Sequence, residues 1–96
     1  MNDVFKALSD PTRREVLRLL KSGPRSAGDL ADAFPVSRPT MSAHFNVLRG
    51  AGLVSTEKAG KSVIYHLNVS VLEEALLGFA GAFGLGTGVP PVSPPE

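Results

Sequence analysis

Ninety-six residues make one domain, too short for a TIM barrel, a doubly wound nucleotide-binding fold or a two-domain enzyme with an interdomain cleft. No cysteine occurs, which excludes disulfides, thiolate-ligated zinc, iron–sulfur clusters and thiol-based sensing by these residues. The net charge of +1 conceals a polarised chain, because residues 1–62 carry ten Lys and Arg against six acids (+4) and residues 63–96 carry three acids and no base (−3).

The opening Met1-Asn2-Asp3-Val4 has an acid where a secretory signal would carry Lys or Arg, and no apolar run follows it. A first helix is expected over Asp3 to Ser9, capped by Asn2 or Asp3, with Val4, Phe5 and Leu8 on one side. Asp10-Pro11 marks a new start, since aspartate accepts from orphan N–H groups and a proline in the first turn has no N–H to leave unpaired. That second helix should run from Pro11 to Lys21, burying Val16, Leu17 and Leu20, until Gly23-Pro24 stops it. Ser26 then opens a short helix, Ala27 to Phe34, burying Leu30, Ala33 and Phe34. Pro35 breaks it, and Ser37 caps a fourth helix from Arg38 to Gly50 with Met41, His44, Phe45 and Leu48 on one face. Two short helices joined through Phe34-Pro35-Val36-Ser37 make a helix-turn-helix candidate.

After Gly50-Ala51-Gly52 the apolar period falls to two. Leu53 to Lys58 and Ser62 to Leu67 read as strands of a hairpin turning at Ala59-Gly60-Lys61. Ser70-Val71-Leu72-Glu73 has the form of a capping box for a last helix, whose stripe is Leu72, Ala75, Leu76, Phe79 and Phe83, with Leu77 behind it. The most apolar stretch, Val71 to Phe83, is 13 residues long and holds Glu73 and Glu74. About 20 apolar residues are needed to span a bilayer, so a cytoplasmic chain that is not an integral membrane protein is expected. Residues 1–83 form the domain; 84–96, rich in Gly and Pro, are expected to be a disordered tail.

The order of elements, ααααββα, is mainly α with a β-hairpin wing. Asp10-Pro11-Thr12-Arg13-Arg14 followed by Val16-Leu17 and Leu19-Leu20 resembles the second helix of ArsR/SmtB-type bacterial repressors. Ser37 to Leu48 and Ala51-Gly52-Leu53-Val54 resemble the same family, and Val4 to Arg14 is most like its SdpR-like autorepressor subgroup. The resemblance covers about residues 3–83. It implies a dimeric winged helix-turn-helix repressor that places the fourth helix in the major groove of double-stranded DNA and packs its first and last helices across a homodimer. The subgroup resemblance further implies repression of its own operon and relief through a regulatory protein partner.

The residues themselves support a nucleic-acid reading. With Met41 and Phe45 inward, Pro39, Ala43, Asn46 and Gly50 point away, flanked by Thr40, Ser42 and Val47. Arg38 can reach guanine bidentately or a phosphate; Thr40 and Ser42 can serve bases or backbone; Ala43 can meet a thymine methyl; Asn46 can pair with adenine. Ser37 opens a helix N-terminus that favours phosphate. His44 has two readings, a packed hydrogen-bonded ring or a DNA contact. Lys58 and Lys61 bracket the wing tip, where lysine neutralises phosphate. Arg13 falls near the apolar stripe and should support the second helix.

Val4, Phe5, Leu8, Leu72, Leu76, Phe79 and Phe83 would expose a large apolar patch on a monomer, which marks a dimer interface. Metal sensing, frequent in the family, has no ligand set here: the third helix lacks a thiolate, the last helix lacks histidine, and His44 and His66 lie on separate elements. An enzyme is the first competing class, but no nucleophile elbow, P-loop or HExxH occurs. A protein-docking winged helix would carry apolar anchors on the outward face of the fourth helix, which is instead small and polar.

Overall fold

The computed structural model describes residues 2–85; the expected tail lies outside the described residues from 86 onward. Five helices and three strands follow one another as α1 (Asn2–Leu8), α2 (Pro11–Lys21), β1 (Arg25–Ser26), α3 (Ala27–Asp32), α4 (Arg38–Gly50), β2 (Val54–Ala59), β3 (Ser62–Leu67) and α5 (Val69–Ala82). This is the expected helical domain with a β wing.

Three helix starts are fixed by side-chain caps. Asp10 accepts from the Arg13 N–H at 3.0 Å, Ser26 from Asp29 at 3.0 Å and Ser37 from Thr40 at 3.3 Å, each satisfying a donor that the helix cannot. The fourth expected cap does not form. α5 begins at Val69, ahead of Ser70, with Asn68 at the cap position and no side-chain cap bond. Asn68 is engaged elsewhere: its N–H donates to Leu53 O at 2.9 Å and its Nδ2 to Gly52 O at 2.8 Å. The side chain thus clips the exit of the wing to its entrance.

The sheet is antiparallel with order β1-β3-β2. β2 and β3 pair from Val54↔Leu67 to Ala59↔Ser62, leaving Gly60-Lys61 as a two-residue turn with Gly60 at φ 64°, the left-handed conformation such hairpins require. β1 was not expected. Its two residues pair with Tyr65 and Ile64, so Ser26 belongs to the sheet and caps α3 at once. α3 is also shorter than expected and buries Leu30 and Ala31, with Ala33 exposed beyond its end.

Val16, Leu30, Met41, Leu48 and Leu53 are fully buried and form the centre of the core, joined by Val4 and Ala7 of α1, Leu17 and Leu20 of α2, and Phe45 of α4. Each of the larger side chains among them contributes about 1.5–3 kcal/mol through loss of apolar surface. Phe45 meets Tyr65 at a centroid distance of 5.0 Å, so β3 and α4 share one aromatic contact. That contact fixes the wing relative to the second helix of the helix-turn-helix.

Candidate nucleic-acid interface

α3, the turn after it and α4 form the helix-turn-helix. With Met41, Phe45 and Leu48 buried, α4 turns Arg38, Pro39, Thr40, Ser42, Ala43 and Asn46 to solvent, together with Arg49 and Gly50. Ser37 and Thr40 are coupled, since the Ser37 hydroxyl donates to Thr40 Oγ1 at 2.9 Å while accepting from the Thr40 N–H. Arg38 Nη2 lies 3.2 Å from Asp32 Oδ1. Asn46 lines an open cleft of about 190 Å³ with Asp3, Lys6, Val47, Gly50 and Ala51, between α4 and α1.

His44 is set apart from these residues. Its side chain is 15% exposed, with Nδ1 3.1 Å from Arg13 Nη1 and 3.9 Å from Asp10 Oδ2. Arg13 also donates through Nε to Ala7 O at 2.8 Å and through Nη2 to Lys6 O at 2.9 Å, reaching the last turn of α1 instead of bracing its own helix. Arg14 adds a bond to Leu8 O at 2.7 Å. The Asp10 carboxyl is held below the usual aspartate range, first by the Arg13 backbone N–H it accepts; desolvation opposes this, while nearby His44, the Thr12 N–H and the Arg13 charge add to it.

The wing extends beside α4 with Lys58, Gly60 and Lys61 exposed at its tip. Further down, His66 pairs with Glu57 across the ladder. Arg38, Ser42, Ala43, Lys58 and Lys61 therefore all meet solvent, whereas His44 is turned toward α2. Arg49 is a cation that the sequence reading did not single out. Ser42, Asn46 and Arg49 stand at i, i+4 and i+7, the spacing of one helix face, which is the signal that finds it.

The second candidate surface is only partly formed as expected. Val4 is in the core, Phe5, Leu8 and Leu72 are half-buried, and Leu76, Phe79 and Phe83 are exposed. Phe79 stands 4.8 Å from Phe5 and 4.9 Å from Phe83, a tilted aromatic row joining α1 to the end of α5. Leu8 and Leu72 instead flank a shallow cavity of about 200 Å³ with Leu17 and Leu67. Val69 and Leu77 are also exposed, at 49% and 55%, so apolar surface extends around α5 beyond the expected stripe. Among the described residues no three His, Asp or Glu side chains gather as metal ligands, and no helix is long and apolar enough to cross a membrane.

Comparison with known proteins adds to this geometry. The model of a helix-turn-helix domain family matches residues 8–57. The transcriptional repressor SdpR of Bacillus subtilis is 47% identical over 76 residues, covering 79% of this chain and 84% of its own. An arsenical resistance operon repressor of Staphylococcus xylosus is 41% identical over 73 residues, covering 76% of this chain and 70% of its own. Among solved structures, an ArsR family transcriptional regulator superposes with a TM-score of 0.78 at 30% identity, covering 85% of this chain and 90% of that one.

Proposed function

From the chain's membership of the ArsR/SmtB family of winged helix-turn-helix transcriptional repressors, we propose that it acts as a homodimer on a pseudo-palindromic operator. A regulator of this kind is a DNA-binding protein and not an enzyme. The observation that carries the proposal is the outward face of α4. Ser42 and Ala43 give it a small, polar surface that can sit deep in the major groove, with two exposed lysines on the wing beside it. A face built to dock protein would present apolar anchors instead.

Arg38 reads guanine or clamps a phosphate from the first turn of α4, and Ser37, Pro39 and Thr40 bring the helix N-terminus against the backbone. Ser42 and Ala43 meet base edges, and Asn46 reaches a base further along the groove. Lys58 and Lys61 neutralise phosphates flanking the adjacent minor groove. The dimer forms through the exposed apolar residues of α5 with Phe5 of α1, a reading supported by the exposure of Leu76, Phe79 and Phe83. Relief comes from a signal other than metal or thiol chemistry; the chain has no cysteine, and its two histidines are engaged with Arg13 and Glu57. Similarity to the SdpR group supports regulation of its own operon and a regulatory protein partner.

Selection of bound duplexes from a random pool tests the whole reading. The expected product is a site with two inverted half-sites about one helical turn, or a multiple of it, apart. Affinity for that duplex should fall steeply with salt. Failure to enrich any sequence, or an affinity indifferent to salt, would overturn DNA binding.

A further inference from the structure

Arg13 joins three elements with one side chain. Its backbone lies in α2, its Nε and Nη2 donate to Ala7 O and Lys6 O in the last turn of α1, and its Nη1 reaches His44 Nδ1 on α4. A guanidinium has five N–H donors and no acceptor, so the Nδ1 it addresses must be unprotonated. That choice puts the ring proton on Nε2 and makes His44 neutral in this arrangement. The fork is planar and rigid, and three bonds to two separate elements define an orientation as well as a distance.

We propose that Arg13 is a positioning residue for operator binding, which through His44 sets the rotation of α4 relative to α1 and so aligns the base-reading face with the dimer frame. This rests on the DNA-binding reading above. In it, His44 serves DNA recognition without touching DNA: 15% of its side chain is exposed, and Nδ1 faces inward. Ser42 and Ala43 lie within two residues of it on the same helix, so a small rotation of α4 at His44 displaces them directly.

The arrangement also has a definite response to acid. Two charged groups face the ring from α2 and its cap, Arg13 and Asp10; on α1, Asp3 and Lys6 line the cleft next to Asn46. Once protonated, Nδ1 becomes a donor and cannot accept from Arg13. Its nearest carboxylate is then Asp10 Oδ2, 3.9 Å away, the oxygen that also caps α2. Protonation therefore turns the ring from Arg13 toward Asp10 and releases the hold on α4. This effect has the opposite sign to that of a histidine lying on phosphate, whose added charge would tighten binding.

The test uses the full chain, the duplex selected above and a scrambled duplex of equal length, with binding read by fluorescence anisotropy. Arg13→Lys retains the charge and a bond to α1 but cannot span to His44; it should lower the ratio of selected to scrambled affinity by about two- to tenfold per half-site, the range one hydrogen bond covers. His44→Phe should do the same. His44→Asn keeps an acceptor close to the Nδ1 position and should restore the ratio. Lowering the pH through the range in which the His44 ring signals shift in NMR spectra should reduce the ratio more for the native chain than for His44→Asn. The wing pair His66 and Glu57 is present in both proteins, so the difference between the profiles belongs to His44. Circular dichroism and thermal melting identify any variant that fails to fold, and His44→Asn supports the comparison if His44→Phe does. A ratio that rises on acidification, or identical pH profiles for the native chain and His44→Asn, would falsify the proposal; native chain that selects no duplex instead overturns the DNA-binding reading itself.

Discussion

Arg38 and Asp32 are paired at 3.2 Å with side chains 71% and 74% exposed. An ion pair this open contributes about 0–1 kcal/mol, so the guanidinium is held in place yet released cheaply when a better acceptor arrives. Arg38→Ala should lower specific operator affinity by roughly 1–3 kcal/mol with circular dichroism unchanged; undiminished affinity in a well-folded variant would remove Arg38 from the interface. Asp10 acts on stability instead. Its cap on α2 is worth about 1 kcal/mol, the typical loss expected for Asp10→Ala in urea unfolding at neutral pH. Because its folded pKa is depressed, that contribution is complete above the unfolded value and disappears as pH falls through the folded one. The stability gap between native chain and variant should accordingly close in acid. Caps of this kind were legible in the sequence, as Asp10, Ser26 and Ser37 each act three residues along. The pairs Arg38–Asp32 and Arg13–His44 span 6 and 31 positions, and only the folded backbone brings them together.

Among the elements, α2, α4 and β3 have the limits that their apolar periods and breakers indicate. β1 escaped because two residues have no period; it exists only because β3 offers an open edge where the chain leaves α2. The start of α5 escaped for a different reason: Asn68 is committed to the base of the wing, which sets where the helix can begin, and the local capping pattern at Ser70 is overridden. The wing itself is shallow and charged at its tip. Lys61→Ala should weaken binding to all duplexes about equally and reduce the slope of log affinity against log salt by about 1. A change confined to one sequence would make Lys61 a base reader.

At the scale of the molecule, the uneven distribution of charge corresponds to two surfaces. Every cation lies in the first 62 residues, while α5 carries Glu73 and Glu74 and exposes Leu76, Leu77 and Phe79. The apolar character of α5 was legible, but its extent was not. The helix is apolar around much of its circumference, and burial on its own domain is concentrated at Ala75 and Ala80. Phe79→Asp adds charge to an exposed position, so it should leave the monomer folded and yield monomers in sedimentation; a persistent dimer would move the interface away from α5. The clip formed by Asn68 has its consequence here. It closes the base of the hairpin at the residue before α5 begins, so wing and α5 share a stiff corner with little freedom to swing. In the proposed homodimer, two such corners related by a twofold axis would behave like fixed calipers. Inserting one base pair between the half-sites advances the second by about 3.4 Å and rotates it by about 34° around the duplex axis. Calipers without a loose joint cannot follow that rotation, so the spacing of the half-sites should be as strictly selected as their sequence.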